Sequence, residues 1–385
     1  MRVGEGERGK YWEAEKDGIM DRLRFLEITY RSLADHEPLR RALIEVRNQA
    51  GKGAPSTVMI FRVPNPCVQM GEFQDIDEEV NIAECQRLGV DIARRVGGGG
   101  CIFYDDHTYI AVALLDRGFF ENLDEAAKVW QGEVITGILR SLGAKEAWYR
   151  HIGDVQIGQT KVSGLGTAII QDTLYMGSFM NIGTPRIDLA LKALKIPPEK
   201  FADKPVSQLD DYVTSVEKVT GRMPSREEVC EAVRQNAERA LKVELVTGEV
   251  TPEENKAFEK LRPFYTSPEW VYKRSSNQKF AGLLPGCKKG KSRHKARKLI
   301  IAHVAVDTQK KIEQALLCGD FFIQPADVLE DIEKSLRGVE ATDEEKILGT
   351  VKDALEQKKA QIPMLDPKDF TIPLTQAARD AAGRI

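Results

Sequence analysis

The sequence predicts an α+β protein, with a mixed or antiparallel sheet core flanked by helices. Three observations support this fold class. Residues 123–142 repeat apolar side chains at helical spacing, as a strongly amphipathic helix does. Residues 57–63 and 109–115 are apolar runs of strand length. Residues 154–180 contain short strands separated only by tight turns, which indicates an antiparallel meander and not a series of strand–helix–strand units.

The elements before the meander follow from hydrophobic periodicity and from the residues that end them. Residues 37–49 place apolar side chains at helical spacing and predict a helix. Residues 57–63 (TVMIFRV) predict a buried strand, which the segment Pro64-Asn65-Pro66 ends. Residues 78–88 predict a polar helix, and residues 90–94 predict a short strand that leads into a glycine run.

Two tight turns define the meander. Gly158-Gln159 fits a two-residue hairpin turn with glycine first, and Gln171-Asp172 marks a second turn. Successive side chains of a strand point to opposite faces of the sheet. We therefore expect Lys161 and Ser163, just after the first turn, to share one face and Val162 to lie on the other.

The last third of the chain predicts a second unit. Residues 225–261 predict a charged helical region. Prolines and the stretch GCKKGKSRHKARK, with seven Lys or Arg in thirteen positions, follow and predict a basic interdomain linker at 263–297. The elements predicted after it are strands at 299–306 and 315–323 and helices at 325–336 and 342–358.

The length of 385 residues suits two domains of about 100–200 residues each. The pattern divides the chain into a polar leader at 1–20, a large domain at 21–262, the basic linker at 263–297 and a small domain at 298–385.

Composition excludes several classes of function. The net charge is −3 with 30% charged residues, so nothing demands a nucleic-acid partner, and the basic stretch lacks the interleaved aromatics of a single-strand binder. No run approaches the roughly 20 apolar residues of a membrane span, and no signal peptide is evident. Six dispersed cysteines form no CxxC pair, which indicates free thiols and no zinc framework. We expect a cytoplasmic protein.

The glycine run after Arg94-Arg95 is the first candidate site. Residues 97–100 are four consecutive glycines between two apolar strands, where close approach to the main chain is the usual reason for glycine. Successive amide groups without side chains can cradle an anion, and arginine offers paired donors to phosphate or carboxylate. A flexible surface loop is the alternative. The run matches neither a P-loop nor a dinucleotide-binding fingerprint, since no helix is predicted after it.

The hairpin that carries Lys161 is the second candidate site. A lysine held on a strand after a tight turn provides a fixed positive charge, which suits a phosphate that gains charge during transfer. Asp154 begins the same hairpin, and a carboxylate there could hold Mg²⁺ against nucleotide phosphates. An exposed lysine and a solvated acid at a strand end are the alternatives.

The combination of these two segments resembles the lipoate–protein ligases of the biotin/lipoate ligase superfamily. That family shows two arginines, a glycine-rich loop and then a hairpin with an Asp and the lysine of a K-[IV]-[SA]-G motif. Here RRVGGGGCIFYDD (94–106) is followed by GDVQIGQTKVSG (153–164). The fold that this implies is a class II synthetase-like ligase domain with a small α+β accessory domain.

Further stretches of the chain resemble the same family, over about residues 55–360. They are Pro66–Gln74 with Glu78–Asn81, Lys204–Ser207 (K-x-V-S), Val213-Thr214-Ser215, Pro268-Glu269-Trp270 and Gly319-Asp320-Phe321-Phe322. The last two resemble the end of the catalytic domain and the GDFF of the accessory domain. The resemblance thus makes 21–262 the catalytic domain and 298–385 the accessory domain.

The resemblance implies a reaction in two steps. The carboxylate of lipoate attacks the α-phosphate of ATP, giving lipoyl-AMP and pyrophosphate, and a lysine of a lipoyl-domain acceptor protein then attacks the mixed anhydride. Lys161 would be catalytic, between the lipoate carboxyl group and the phosphate. Apolar strand residues would line a slot for the acyl chain and dithiolane ring of lipoate. Octanoate is the alternative acyl group.

The resemblance also implies binding residues. Those expected to bind ATP and the lipoyl adenylate are Arg94, Arg95, Gly98, Gly99, Gly100, Cys101, Ile102, Phe103, Asp154, Lys161, Ser163 and Gly164. Arg95 and the main chain from Gly100 to Phe103 would hold the nucleotide, and Gly98 and Gly99 would let the ligand lie against the main chain. Asp154 is the expected Mg²⁺ ligand.

Some positions depart from the family pattern. Tyr104-Asp105 stands in place of His-Asp, His107-Thr108 in place of Gly-Asn or Gly-Asp, and Gly153-Asp154 in place of Asn-Asp. A non-catalytic lipoyl-binding homologue would explain these departures.

A related branch of the family transfers octanoyl or lipoyl groups without ATP, through a cysteine shortly before the motif lysine. No cysteine lies between Cys101 and Cys230, which favours the ligase. Biotin ligase is disfavoured because no GRGRxGRxW-like segment is present.

Overall fold

The computed structural model describes residues 21–51, 54–151, 153–195 and 212–385. The predicted leader at 1–20 and the K-x-V-S stretch Lys204–Ser207 lie outside the described residues. The chain forms two compact units, each built from three separate stretches. The first unit comprises Met1–Pro66, Tyr104–Ile187 and Pro198–Arg262, and the second comprises Cys67–Phe103, Asp188–Pro197 and Pro263–Ile385.

The strands in chain order are β1 (Asp21–Ile28), β2 (Thr57–Arg62), β3 (Cys67–Met70), β4 (Asp91–Arg94), β5 (Ile102–Tyr104), β6 (Thr108–Asp116), β7 (Ala147–Arg150), β8 (Asp154–Ile157), β9 (Thr160–Ile170), β10 (Thr173–Asn181), β11 (Val243–Thr247), β12 (Lys288–Lys295), β13 (Leu299–Val306) and β14 (Ile312–Gly319).

The α-helices in chain order are α1 (His36–Ala50), α2 (Ile76–Glu79), α3 (Ile82–Leu88), α4 (Leu123–Ala127), α5 (Thr136–Ser141), α6 (Ile187–Ala193), α7 (Val216–Thr220), α8 (Arg226–Leu241), α9 (Pro252–Tyr265), α10 (Pro268–Val271), α11 (Ser276–Lys279), α12 (Val328–Ser335), α13 (Glu344–Gln357) and α14 (Pro367–Ala382). A 3₁₀ turn at Leu33–Asp35 precedes α1, and a π-helical segment, Lys128–Ile135, joins α4 to α5.

The first unit is built on one eight-stranded mixed sheet, in the order β11-β1-β2-β6-β10-β9-β8-β7. β1 pairs parallel with both β11 and β2, and the other neighbours pair antiparallel. The predicted turns at Gly158-Gln159 and Gln171-Asp172 separate β8, β9 and β10. Gly158 has φ +61° and Gln171 has φ +55°, as tight hairpin turns require. The α+β prediction is confirmed.

A layer of helices covers one face of this sheet. The predicted helix at 123–142 is one helical run through α4, the π-helical segment and α5. Its fully buried Trp130 packs into a core that also includes Phe25, Val155, Val162 and Val233. Burial of such side chains stabilises the layer by about 1.5–3 kcal/mol each. The meander that carries Lys161 therefore rests on a rigid base.

The second unit contains two three-stranded sheets, ordered β4-β3-β5 and β12-β13-β14. The strands of the second sheet are antiparallel, and one of its faces packs on α12, α13 and α14 through alternate residues such as Ile300, Ala302 and Leu317. His303 and Cys318 lie on the opposite face, because they alternate with those core residues.

Two sequence interpretations were wrong. The region 225–261 is not continuously helical, since β11 interrupts it between α8 and α9 to pair with β1. The region 263–297 is not an extended linker, since it forms α10, α11 and the edge strand β12. Main-chain pairing with distant strands determines both outcomes, and local composition does not report such pairing. The division into catalytic and accessory domains remains a prediction.

Candidate functional site

The hairpin of β8 and β9 joins Lys161 to Asp154. The Nζ atom of Lys161 lies 2.6 Å from Oδ1 of Asp154, and the two side chains are 20% and 26% exposed. The main chain of Lys161 is fixed from the far side as well, because its N–H donates to the carbonyl of Tyr212 and its carbonyl accepts from Thr214. The stretch Val213-Thr214-Ser215, singled out by its family resemblance, therefore lies beside the predicted catalytic lysine.

A β-bulge changes the faces on which the hairpin residues lie. Gln156 pairs with Lys161 and Val155 with Ser163, which leaves Val162 as the additional residue. The bulge breaks the simple alternation, and both Val162 and Ser163 are fully buried. The prediction that Lys161 and Ser163 share a face was therefore wrong. Gly164 is the residue that shares the face of Lys161.

Ser163 belongs to a buried polar chain beneath the sheet. Its hydroxyl accepts a hydrogen bond of 3.0 Å from Nε2 of Gln131. Gln131 in turn accepts at 2.6 Å from the hydroxyl of Ser178, which accepts at 3.1 Å from Nε1 of Trp130. Because this hydroxyl is committed to Gln131, a contact of Ser163 with a ligand would have to involve its main chain.

Gly164 and Phe179 form the floor beneath the lysine. A Cβ atom at Gly164 would lie 2.8 Å from Nζ of Lys161 and 2.9 Å from the ring of Phe179, so only glycine leaves this space to the lysine. The ammonium of Lys161 lies 5.5 Å from the centre of the Phe179 ring, and Tyr104 packs edge-on against the same ring at 5.8 Å. Motif analysis did not single out Phe179, although it pairs with Gly164 across the strands.

Asp154 is the predicted magnesium ligand. Of the described residues, only one group of three or more His, Cys, Asp or Glu side chains brings its ligand atoms together, and Asp154 is not in it. Mg²⁺ is commonly held by one or two carboxylates together with substrate phosphates, not by a complete protein cage. A single half-buried carboxylate beside a lysine fits that arrangement.

In the second unit, Arg94 supports the glycine loop from below. Its side chain is 1% exposed, and its guanidinium donates to the main-chain carbonyls of Val271, Gly71, Glu72 and Gln74. Burial lowers the pKa of this guanidinium to about 10. The geometry gives Arg94 a structural role, and the predicted contact with a nucleotide remains a prediction.

Arg95 holds the loop in its curved shape. Its Nη2 donates at 2.9 Å to the carbonyls of both Gly98 and Gly100. Glu72, which motif analysis included only as part of a longer stretch, accepts at 2.9 Å from the N–H of Gly97. The carbonyls of Gly98 and Gly100 are thus tied to Arg95, and that of Gly97 accepts from the N–H of Glu72. The N–H groups of Gly98 and Gly99 donate to no group in the described part of the chain.

The glycine at position 98 accommodates the protein's own chain. A Cβ atom there would lie 1.9 Å from the carbonyl oxygen of Phe321 and 3.0 Å from Cδ1 of Phe322. The Gly319–Phe322 segment, singled out by its resemblance to GDFF, therefore packs on the loop within the second unit. Gly100 differs, since a Cβ atom there would meet nothing within 4 Å. Open space beside the main chain is found at Gly100 and not at Gly98.

The remaining predicted residues follow the loop. Cys101 is buried in an apolar cluster with Val68, Met70 and Val271, as expected of a small apolar residue. Ile102 and Phe103 lie in β5 and are half-buried. The loop brings Arg95, Gly98 and Gly100 together, and the hairpin brings Asp154, Lys161 and Gly164 together. The hairpin belongs to the first unit and the loop to the second.

Comparison with known proteins identifies a family and several relatives. Residues 40–238, just over half of the chain, match the model of the lipoyl protein ligase A/B catalytic domain. Lipoate–protein ligase 1 of Staphylococcus aureus is 25% identical over 273 residues, covering 70% of this chain and 77% of that protein. Octanoyltransferase LipM of Moorella thermoacetica is 23% identical over 259 residues, covering 60% and 91%.

The fold of this chain is also similar to that of a solved structure. The crystal structure of P. falciparum LipL1 in complex with lipoate has a TM-score of 0.65 at 14% identity and covers 92% of this chain and 98% of that one. The described ranges contain no helix with the length and apolar character needed to cross a membrane. The chain belongs to the lipoyl protein ligase A/B catalytic-domain family, and its relatives include both lipoate–protein ligases and octanoyltransferases.

Proposed function

We propose that this protein is an ATP-dependent lipoate–protein ligase, which activates lipoate as lipoyl-AMP and transfers it to a lysine of a lipoyl-domain acceptor protein. The observation that carries the proposal is the pairing of Lys161 with Asp154 at 2.6 Å on the face of the meander that Gly164 leaves open. The family match supports lipoate or octanoate as the acyl group. The relatives include both ligases and octanoyltransferases, so the need for ATP is what an experiment must test.

Lys161 has the position and the charge that adenylate formation requires. A carboxylate oxygen of lipoate attacks the α-phosphorus of ATP, the bond from that phosphorus to the bridging oxygen breaks, and pyrophosphate leaves. Negative charge grows on the phosphoryl oxygens during this step. A fixed ammonium that is only 20% exposed stabilises that charge more than a mobile, hydrated lysine would, because the protein has already oriented it.

The same ammonium serves the second step. The neutral ε-amine of the acceptor lysine attacks the carbonyl carbon of lipoyl-AMP, an amide forms, AMP leaves with the bonding electrons, and the amine loses a proton. Lys161 stabilises the carbonyl oxygen and the departing phosphate. Asp154 holds Lys161 in place, and when Mg²⁺ is bound with the nucleotide this carboxylate would be its protein ligand, with the ion neutralising the phosphates.

The glycine loop would contribute to nucleotide binding. The N–H groups of Gly98 and Gly99 donate to no described protein group, and consecutive free amides are suited to an anion such as a phosphate. Arg95 keeps the loop curved by binding the carbonyls of Gly98 and Gly100. Its charge beside the amides adds to the attraction for an anion. Main-chain contacts from Gly100 to Phe103 remain part of the proposal.

The second candidate function is an ATP-independent octanoyl or lipoyl transferase, which the LipM relatives favour. Such an enzyme needs a reactive thiolate. Burial raises the pKa of the Cys85 and Cys230 thiols to about 11, and it also raises the pKa of the Cys67 and Cys318 thiols well above the ordinary value. A thiol in such surroundings is a poor nucleophile at neutral pH. These features support the ligase over the transferase. The six cysteines form no disulfide bond, which also agrees with the proposed cytoplasmic location.

An acyl-transfer assay that varies the donor separates the candidates. The full chain is incubated with a lipoyl-domain acceptor and either free lipoate with ATP and Mg²⁺, free octanoate with ATP and Mg²⁺, or an octanoylated carrier protein without ATP. Mass spectrometry of the acceptor reports each transfer. The ligase predicts modification from a free acid that requires ATP. Modification from the acylated carrier alone would establish the transferase instead, and binding of lipoate without any transfer would indicate a non-catalytic homologue.

A further inference from the structure

A cluster of three potential metal ligands lies in the second unit. His303 is on β13 and Cys318 is on β14, on the face of that sheet that is not covered by α12–α14. Asp75 caps the N-terminus of α2 and faces them. Their ligand atoms, one oxygen, one nitrogen and one sulfur, all lie within 4.8 Å of one another.

Two of these atoms are buried without a hydrogen bond. Oδ1 of Asp75 accepts from the N–H groups of Asp77 and Ser276, but its Oδ2 and the Nε2 of His303 have no hydrogen-bond partner among the described residues. The Asp75 side chain is 0% exposed and that of His303 is 13% exposed. A buried polar atom without a partner costs about 1–3 kcal/mol, so a missing ligand is a natural explanation.

We propose that Asp75, His303 and Cys318 bind a divalent transition metal of the Zn²⁺ class. Carboxylate oxygen, imidazole nitrogen and thiolate sulfur are the donors that Zn²⁺ takes in proteins. Bond lengths of about 2.0–2.3 Å in a tetrahedral site place neighbouring donors about 3.3–3.6 Å apart. The distance of 3.4 Å between Nε2 of His303 and Oδ2 of Asp75 matches such an edge.

The charges of the side chains around the cluster are compatible with a bound cation. Glu78, whose Oε1 lies 3.9 Å from Nε2 of His303, is already matched by Lys291 and Arg293 of β12. Among the described residues, Asp75 forms its ion pair with the imidazole of His303 at 3.4 Å and none with a Lys or Arg side chain. A metal would supply the charge that this carboxylate lacks and use the neutral imidazole directly.

The site would act as a structural cross-link within the second unit. Its ligands come from positions 75, 303 and 318, so the bound ion would tie the start of α2 to two strands of the β12–β14 sheet. Cys318 would bind the ion as a thiolate, so metal binding would release its proton. Sequence spacing did not indicate this site because no two of the ligands are close in the chain. The site does not depend on the proposed ligase activity.

Cobalt and zinc binding to the full chain test the proposal. The protein is stripped with a chelator, dialysed and titrated with Co²⁺, and thiolate-to-cobalt charge-transfer absorption is recorded. Zinc content is measured separately after Zn²⁺ loading and dialysis. We expect about one equivalent of metal per chain, a thiolate band, and a higher melting temperature with Zn²⁺ than with chelator.

Three variants complete the test. His303→Gln and Cys318→Ser are each expected to weaken binding by at least about tenfold, whereas Cys287→Ser, a half-buried cysteine outside the cluster, keeps wild-type binding. Circular dichroism checks that each variant folds. A wild-type protein that binds cobalt without a thiolate band, or binds no metal, would overturn the proposal whether or not the variants fold. Ligand variants that bind as tightly as wild type would also overturn it.

Discussion

The ammonium of Lys161 lies 2.6 Å from Oδ1 of Asp154, across a hairpin in which a bulge at Val162 turns Ser163 into the core. The bulge leaves Lys161 above Gly164, where any larger residue would collide with its Nζ atom. Lys161 is therefore oriented from three sides: by the carboxylate, by the glycine and by main-chain hydrogen bonds to Tyr212 and Thr214. Such orientation before substrate binds is what an electrostatic catalyst needs.

Replacement of the lysine tests its role most simply. We expect Lys161→Ala to lower the rate of adenylate formation by about 10²–10³-fold, because the charge that stabilises the transferring phosphoryl group is lost. The free energy of unfolding should change by less than about 1 kcal/mol, since an ion pair that solvent still reaches contributes little to stability. Pyrophosphate release and urea unfolding measure the two effects.

The matched control for this variant is Lys145→Ala. Lys145 is exposed in the same unit and is expected to leave both rate and stability unchanged. Near-normal turnover by Lys161→Ala would contradict the role assigned to this lysine.

The carboxylate partner should act mainly through the lysine. We expect Asp154→Asn, which keeps the size and removes the charge, to lower adenylate formation by about tenfold to a hundredfold. Combined with Lys161→Ala, it should cause less loss than the product of the two single effects, because the two residues act in part as a unit, and the loss that remains measures the proposed contact of Asp154 with Mg²⁺. Rates of the two single variants and the double variant give this comparison. Fully multiplicative losses would mean that Asp154 acts independently of Lys161.

Two alanine substitutions in the glycine loop should differ in stability. Gly98→Ala places a Cβ atom 1.9 Å from the carbonyl oxygen of Phe321, whereas Gly100→Ala meets nothing within 4 Å. We therefore expect Gly98→Ala to reduce the free energy of unfolding by about 1–3 kcal/mol. Gly100→Ala should change it by less than about 0.5 kcal/mol. Urea titrations of both variants provide the measurement, and equal losses would show that the loop does not pack on Phe321 in solution.

Acid should destabilise the protein through His36. Its imidazole is buried, Nδ1 lies 3.1 Å from the hydroxyl of Tyr30, and burial together with the charge of Arg40 lowers its pKa to about 3. The unfolded chain, with a histidine pKa of about 6.5, binds a proton that the folded chain does not take up. Stability from this group is therefore present above about pH 6.5 and decreases as pH falls towards 3.

Denaturation at two pH values measures this effect. Between about pH 7.5 and about pH 5 the contribution of His36 falls by roughly 2 kcal/mol. The His36→Asn variant should lose that part of the pH dependence, although it is less stable at both values. His151→Asn, at an exposed histidine of the same unit, should keep the wild-type pH dependence. An unchanged slope in His36→Asn would contradict the buried neutral state of His36.

Local signals predicted most elements of the first unit correctly. The helix at 37–49, the strands at 57–63 and 109–115 and the turns at Gly158-Gln159 and Gln171-Asp172 depend on periodicity and turn chemistry that each segment carries itself. The pairing of β11 with β1 and of β12 with β13 depends on residues far away in sequence, which is why both strands were misassigned.

The faces on which the candidate site residues lie were less predictable than the strands that carry them. Strand alternation predicted that Ser163 lies on the same face of the sheet as Lys161. The bulge at Val162 turns Ser163 to the opposite face. Gly164 inside the strand was the available signal, since glycine within a strand often marks a bulge or a close approach. Gly98 in the loop also marks a close approach, and the approaching group is the carbonyl of Phe321 of the same chain.

The most direct test of the central claim is release of pyrophosphate from ATP and Mg²⁺ by the full chain with free lipoate and no acceptor protein, with octanoate and biotin as parallel acids. We expect release that depends on lipoate or octanoate, is absent with biotin and is lost in Lys161→Ala. No release with any acid, even after a lipoyl domain is added, would contradict adenylate formation and favour carrier-dependent transfer or a binding role.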